Sequence, residues 1–437
     1  MSGGEPVRST GRYRWVVLGV ATFTQAASGF FVQGIGAMGV HLQRDLSLST
    51  AQLGLLLSAA YVVPLAGLLV AGELLDRYDE RWVVGIGACV VAVSLGAGSL
   101  APGYVSLLLV LLVVGAGYST VQPGGSKSVA SWFDASQRGL AMGIRQAGLP
   151  LGGVLAAAVL PVLAAALGWR VTLLAGALVA LLGAVAFMCL YRRPPAQSPP
   201  RDSPSRDGTP RDSPSRDGAP RDPEPRVSLA SWFGVRLRML REPAMVKIIW
   251  SGMCLVSVHS GVGVLTVLYL HEVTAVEAGS AALVLVATQG AGAAGRVCLA
   301  AWSDRSGAGR YVCVLTCMVA VTAGMSALIT PIGRSPVAAC LLFVWLGFFG
   351  IGWYGPWVAY LAESAPPDRT GFALGLAMAV NQVAVVLAPP VLGLLRDLTG
   401  SFVPAWGLLS VMTAVVLTVT ARGGGENGRT RQGEGRA

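Results

Sequence analysis

Gly72-Glu-Leu-Leu-Asp76-Arg77 closes the second of a series of long apolar stretches, and Gly295-Arg296 followed by Ser303-Asp304-Arg305-Ser-Gly307 closes the eighth. An Asp-Arg turn therefore stands at the same place in two blocks of chain, each built of hydrophobic segments. Segments 15–41, 51–72, 82–101, 105–127, 137–166 and 170–191 form the first block; 244–270, 279–302, 311–332, 337–363, 369–396 and 402–421 form the second. At about 1.5 Å of helical rise per residue, each crosses a hydrocarbon core of roughly 30 Å. This predicts an all-α integral membrane protein of twelve transmembrane helices in two pseudo-symmetric six-helix halves. Pro150 and Pro161 interrupt the fifth segment, which is read as one kinked span whose freed carbonyls find partners on neighbouring helices.

A chain that is 54% hydrophobic and 12% charged is not a soluble domain of this length. Its net charge of +10 is a topology signal rather than a nucleic-acid surface. With the N-terminus placed in the cytoplasm, only Arg44, Arg170, Arg334 and Arg396 fall on outer turns or span ends. The other basic residues lie in inner loops, tails and a few helices, which is the positive-inside bias and predicts both termini inside. No cleavable leader is evident, because the first apolar stretch is too long and lacks a small-residue cleavage pattern. The seven cysteines all lie in apolar segments without metal spacing and read as small core residues. No cofactor, metal or nucleic acid is expected; the partners are the cell-membrane bilayer and a small molecule, and the chain reads as a monomer.

The expected organisation is a cytoplasmic tail over 1–14, a six-helix half over 15–191, a cytoplasmic linker over 192–243, a second half over 244–421 and a tail over 422–437. Within the linker, Arg201-Asp-Ser-Pro-Ser-Arg-Asp-Gly-Thr-Pro210 is almost repeated at Arg211–Pro220. Proline, glycine and alternating charge cannot bury a core, so a disordered tether is expected. Ser203, Ser205, Ser213 and Ser215 leave a phosphorylated arm as the alternative. Residues 228–242, with Trp232, Phe233 and flanking arginines, read as a short amphipathic helix at the membrane interface.

Polar side chains in lipid are expensive, so their placement separates lining helices from lipid-facing ones. Spans three, six, nine and twelve carry no amide or ionisable side chain in their interiors. Gln25 and Gln33 lie in span one, Gln122 and Lys127 in span four, and Arg145 and Gln146 in span five. His259 lies in span seven, Gln289 and Arg296 in span eight, and Asn381 and Gln382 in span eleven. Dry helices thus recur every third span, as nested repeats around a midplane site require. Gln289, Gly292 and Arg296 share a face of span eight, because residues seven apart differ by about 20° around the axis. Trp353, Tyr354, Trp357 and Tyr360 surround the glycines and Pro356 of span ten as a gate or substrate wall, with plain packing as the alternative.

At these residues the chain resembles the major facilitator superfamily over nearly all of 12–422. Gly72-x-x-x-Asp76-Arg77-x-Asp79-Glu80-Arg81 is similar to that superfamily's loop motif between spans two and three, departing from it at Asp79 and Glu80; Ala300 replaces the leading Gly of the second copy. Trp132-Phe133-Asp-Ala-Ser-Gln-Arg138-Gly139-Leu-Ala141-Met-Gly143-Ile-Arg-Gln-Ala147-Gly148-x-x-x-Gly152 resembles the span-four-to-five signature of monocarboxylate and oxalate/formate-type porters. Arg296 resembles the span-eight arginine that contacts an anion in those families and in nitrate porters. There is no buried Lys in span one, Gly292 stands where an Asp would precede Arg296, and Leu68 replaces a second arginine. The resemblance therefore implies a single-charge organic acid.

The functional expectation is a secondary transporter of a small organic anion, a monocarboxylate, working by rocker-switch alternating access with a proton as the candidate coupled ion. Arg296 and Arg145 are the candidate anion ligands, with a structural cation as the alternative for each. Gln33, Gln122, Gln289, Tyr354, Asn381 and Gln382 are the candidate orienting groups, interhelical hydrogen bonding being the other use of the amides. His259 is the candidate proton site. Asp76, Arg77, Asp304 and Arg305 are assigned to a conformational gate. A drug or metabolite efflux antiporter, or a transport-inactive receptor, are the competing readings. No nucleophile–base pair or phosphate loop points to an enzyme.

Overall fold

Proline decides where the second span breaks. Pro64 has no N–H to continue the ladder, so Thr50–Val62 and Pro64–Arg77 are separate helices joined at Val63. Together they make one crossing. Eleven other helices are each long and apolar enough to cross a bilayer, which completes the twelve. This computed structural model describes residues 6–48, 50–194, 242–307, 309–366 and 369–422. The repeat segment, the amphipathic stretch except for Glu242, and the C-terminal tail expected above lie outside the described residues.

Span one is Pro6–Gly34, longer at its start than the hydrophobic stretch suggests, and is followed by a 3-10 turn and a short helix at Gly39–Asp45. Spans three to six are Glu80–Gly98, Tyr104–Trp132, Ala135–Leu167 and Trp169–Leu190. Span five is a single helix with Pro150 and Pro161 inside it, as expected. Spans seven to nine are Pro243–Thr274, Ala278–Arg305 and Arg310–Ile329. Span ten is Pro336–Gly352 and Tyr354–Ser364, broken at Trp353. Spans eleven and twelve are Thr370–Thr399 and Val403–Arg422.

The halves repeat one packing scheme. Span one lies on five as seven lies on eleven, two on four as eight on ten, and three on six as nine on twelve. The halves meet where the second piece of span two lies along eleven and where span eight lies along five. Glycine permits the closest crossings. A methyl at Gly152 would stand 2.6 Å from the Ala26 carbonyl of span one, and one at Gly148 would stand 2.7 Å from that of Thr22. Spans three, six, nine and twelve turn Val93, Leu178, Val319 and Val411 outward, each more than half exposed, as lipid-facing helices do. Of the cysteines, Cys254, Cys313 and Cys317 are buried, whereas Cys189 and Cys298 are exposed, so the expectation of core packing holds for part of the set only.

The close fit of spans one and five yields a test. Gly152→Leu is expected to lower the melting temperature of the detergent-solubilised protein by several degrees, since overpacking costs about 1–3 kcal/mol. Gly407→Ala, where a methyl meets nothing within 4 Å, is expected to leave it unchanged. Equal melting curves would contradict the crossing.

Candidate functional site

A cavity of about 280 Å³ lies between the halves, and its wall comes from spans one, two, four, five, seven, eight, ten and eleven. None of the four dry spans contributes. The polar pattern of the sequence thus picked out the lining helices.

Arg296 projects from span eight into the floor of this cavity and is 3% exposed. Its Nη1 donates to the Gln146 carbonyl of span five at 2.7 Å, and its Nε donates to the Ile351 carbonyl of span ten at 3.2 Å. Both acceptors arise from broken ladders. Gln146 precedes Pro150 by four residues, so its carbonyl has no intrahelical N–H; Ile351 lies just before the break at Trp353. The Tyr354 ring sits 5.7 Å from the guanidinium carbon. Nη2 has no hydrogen-bond partner among the described residues, which leaves it for the cavity. No Asp or Glu lines the wall.

The amides ring the rest of the space. Gln33, Gln122, Gln289, Asn381 and Gln382 all line it. Gln33 Oε1 accepts from the Tyr61 hydroxyl at 2.5 Å, and Gln122 lies 3.4 Å from the Tyr118 hydroxyl. Gln382 Nε2 donates across the halves to the Tyr61 carbonyl at 3.1 Å, beside the Val63–Pro64 break. Asn381 is different. It is 3% exposed, and neither Oδ1 nor Nδ2 has a partner; both lie against Gly252 of span seven, where any methyl would meet them within 3.0 Å. A buried amide without partners costs roughly 1–3 kcal/mol. His259 and Ser260 complete the wall from span seven.

Two expected site features fall elsewhere. Arg145 does not line the cavity: it is fully buried, with Nη1 on Ser126 Oγ at 2.8 Å and Nη2 on the Val121 and Gln122 carbonyls at 2.9 and 2.8 Å. It clamps span five to span four across Gly125, where a methyl would stand 2.6 Å from its Nε. Of the span-ten aromatics only Tyr354 reaches the cavity. Trp353 and Trp357 are buried in the second half's core, Trp357 Nε1 donating to the Ile248 carbonyl at 2.9 Å, and Tyr360 packs on Tyr311. Sequence reading overlooked Tyr61 and Tyr118, and placed Gln146 among the polar interior residues without making it a candidate site residue. Pro150 was the available signal for Gln146.

Below the floor, at the end predicted to face the cytoplasm and called inner here, the halves are closed. Asp76 accepts from the N–H groups of Gly371 and Phe372 at 2.8 and 2.7 Å. These are orphan donors of the first turn of span eleven, and a carboxylate there also meets the positive helix end. Asp304 accepts in the same manner from Gly139 and Leu140 of span five at 2.8 and 2.6 Å. Each Asp thus belongs to one half and holds a helix of the other. Their flanking arginines do not take part: Arg77 is exposed and pairs with Glu73 one turn back, and Arg305 is exposed. Other cations do the work assigned to them. Lys127 lies 3.2 Å from Asp76 and 3.5 Å from Glu80. Arg310 pairs with Asp304 and, at 2.7 Å, with Glu363, and donates across the halves to the Ala135 carbonyl. Arg138 reaches Glu363 from the first half at 3.5 Å.

Residues 21–421 match the family model of the Major Facilitator Superfamily, and the chain belongs to that superfamily. It is a multi-pass membrane transporter and not an enzyme. An uncharacterized MFS-type transporter of Mycobacterium tuberculosis is 28% identical over 404 residues, 91% of this chain and 82% of that protein. A hexuronate transporter of Bacillus subtilis is 29% identical over 157 residues, 36% of this chain and 37% of its own length. The transporter FucP in its outward conformation superposes with a TM-score of 0.71 at 16% identity, covering 93% of this chain and 97% of that one. These likenesses do not single out the monocarboxylate and oxalate/formate-type branch.

The inner closure yields a test. Asp76→Asn and Asp304→Asn are each expected to open the inner end more often, because hydrogen bonds to charged groups contribute about 1.5–3 kcal/mol each. The readout is labelling of Ser303→Cys, a near-isosteric change at a buried site, by an impermeant maleimide applied from the inner side. A rise of roughly tenfold or more is expected for about 1.4 kcal/mol lost. Arg77→Ala is expected to change labelling less than twofold, as exposed ion pairs contribute little.

Proposed function

We propose that this protein carries a small organic anion bearing a single carboxylate, by alternating exposure of the cavity between its halves. One observation carries the reading: Arg296 is the sole charged side chain on the wall formed by the described residues, and it is buried with no carboxylate facing it. A buried cation without a counter-charge is costly, and a substrate carboxylate on Nη2 removes that cost. A guanidinium fork also matches carboxylate geometry better than an ammonium does.

In this reading Tyr354 flanks the guanidinium, while Gln289, Gln122, Gln33 and Asn381 orient the neutral, hydroxylated remainder of the anion. The name of the hexuronate transporter, a carrier of sugar acids, supports that remainder. His259 is the imidazole among the described wall residues and is the candidate for carrying a coupled proton. Arg145 drops out as a ligand, since its fork is committed to span four. A cell-membrane location with both termini cytoplasmic accompanies the reading, on the arginine distribution. An efflux pump for amphipathic drugs would favour an aromatic wall without a buried cation, whereas Arg296 and six amides stand among the apolar side chains of this one and the tryptophans stand behind it.

Uptake of labelled D-glucuronate, lactate and a neutral hexose into proteoliposomes tests the proposal. Saturable uptake is expected for an acid and not for the hexose, and Arg296→Gln is expected to lower it at least tenfold. Asn381→Ala is expected to raise the half-saturating concentration severalfold. Hexose uptake without acid uptake, or full acid uptake by Arg296→Gln, would overturn the assignment.

A further inference from the structure

We propose that Arg296 latches the empty carrier with its inner end shut, so that an anion leaves from the inner side faster in exchange for an outer anion than by net efflux. The inference rests on the reading of Arg296 as the anion's ligand. It begins with Pro150, which leaves the Gln146 carbonyl without its helical N–H. That carbonyl belongs to the first half. The donor that satisfies it, Arg296 Nη1 at 2.7 Å, belongs to the second. The bond therefore spans the line along which the halves must part.

Its position makes it a latch. Spans five and eight run together from this bond inward to Asp304, which accepts from Gly139 and Leu140. A methyl at Gly143 would strike the Arg296 backbone carbonyl, so the crossing is tight between the two points. Opening the inner end separates these two helices. In the empty carrier that leaves a buried guanidinium with the Ile351 carbonyl as its remaining acceptor, and it leaves the Gln146 carbonyl orphaned in a low-dielectric interior. A carboxylate lying across Nη1 and Nη2 replaces the lost acceptor with a charged, two-pronged one. Loaded, the carrier opens inward; empty, it stays shut. Reopening of the empty carrier toward the inner side is then the slow step of net efflux, and an anion on the outer side relieves it.

The equivalent crossing of spans two and eleven shows why the effect resides at Arg296. There the cross-half bond is Gln382 Nε2 to the Tyr61 carbonyl at 3.1 Å, made by a neutral amide. Parting it strands no charge. The two crossings are alike in backbone and differ in the cost of separating them.

The test uses full-length protein in lipid nanodiscs, cysteine-free except for spin labels at positions 77 and 305, both exposed at the inner end on opposite halves. Without substrate the parent is expected to give one narrow inter-label distance. Pro150→Ala restores an N–H for the Gln146 carbonyl and leaves Arg296 in place, and Arg296→Met removes the donor. Each is expected to add a longer-distance population, raising the open-to-closed ratio at least tenfold. In proteoliposomes with the inner end facing the lumen, preloaded labelled D-glucuronate is expected to leave through the parent at least tenfold faster into medium holding unlabelled D-glucuronate than into medium without it, and Pro150→Ala to narrow that ratio. Unchanged distances in both variants, or equal exchange and net efflux by the parent, would overturn the latch. Longer distances in the variants with no response of the parent to D-glucuronate, lactate or acetate would uphold the latch and sink the anion reading instead. Should Arg296→Met fold poorly, Pro150→Ala decides alone.

Discussion

Hydrocarbon supplies no hydrogen bonds, and that constraint organises this molecule. Every backbone carbonyl released inside the bilayer must find a donor from the protein. Pro64, Pro150 and the break at Trp353 release several near the midplane, and the donors come from polar side chains on facing helices. Arg296 serves the carbonyls of Gln146 and Ile351, and Gln382 serves that of Tyr61. The kinks of spans two, five and ten therefore lie among the polar side chains of the eight lining spans. The four spans without polar interiors have no such debts to settle and face lipid. One physical rule thus accounts for both the cavity and its greasy surround.

The inner closure applies the same rule at helix ends. Asp76 and Asp304 each satisfy two backbone donors on a helix of the opposite half. Repetition in sequence gives the two carboxylates equal roles, yet their cations differ. Lys127 stays within the first half, holding Asp76 and Glu80 together. Arg310 and Arg138 cross between halves through Ala135 and Glu363. The Asp304 side is therefore the more heavily tied of the two, and it is the side on which Arg296 also bridges. Both features place the principal resistance to inward opening along spans five and eight.

Much of this was legible in the sequence because it depends on periodicity. Twelve crossings, the repeated Asp, the dry third spans and the shared face of Gln289 and Arg296 are all one-dimensional patterns. What failed depends on neighbours, which periodicity does not encode. Arg145 lies in the right helix, but Gly125 lets its guanidinium approach span four, and its fork turns to the Val121 and Gln122 carbonyls there instead. Arg77 and Arg305 follow the gating carboxylates in sequence, yet a step of one residue rotates a helical side chain by about 100°, carrying both off the interface. Arg310 was invisible as a gate residue because five residues of sequence separate it from Asp304. For Trp353 and Trp357 residue type left a wall and plain packing both open, with packing the commoner use; the break at Trp353 directs them into the core of the second half.

On the proposed reading, the single charge among the described residues of the cavity wall limits what the protein can carry. In a space of about 280 Å³, a dianion would bring a second charge with no cation on the wall to meet it, and burying an unpaired charge outweighs several neutral hydrogen bonds. A neutral sugar would satisfy the amides but leave Arg296 unmatched and its tie to Gln146 intact. A monoanion with hydroxyl groups answers both demands: its carboxylate releases the guanidinium from the opposite half, and its hydroxyls supply partners for Asn381 and the glutamines. Selectivity and conformational control then share one interaction, because the cargo that fits best is also the cargo that lets spans five and eight come apart.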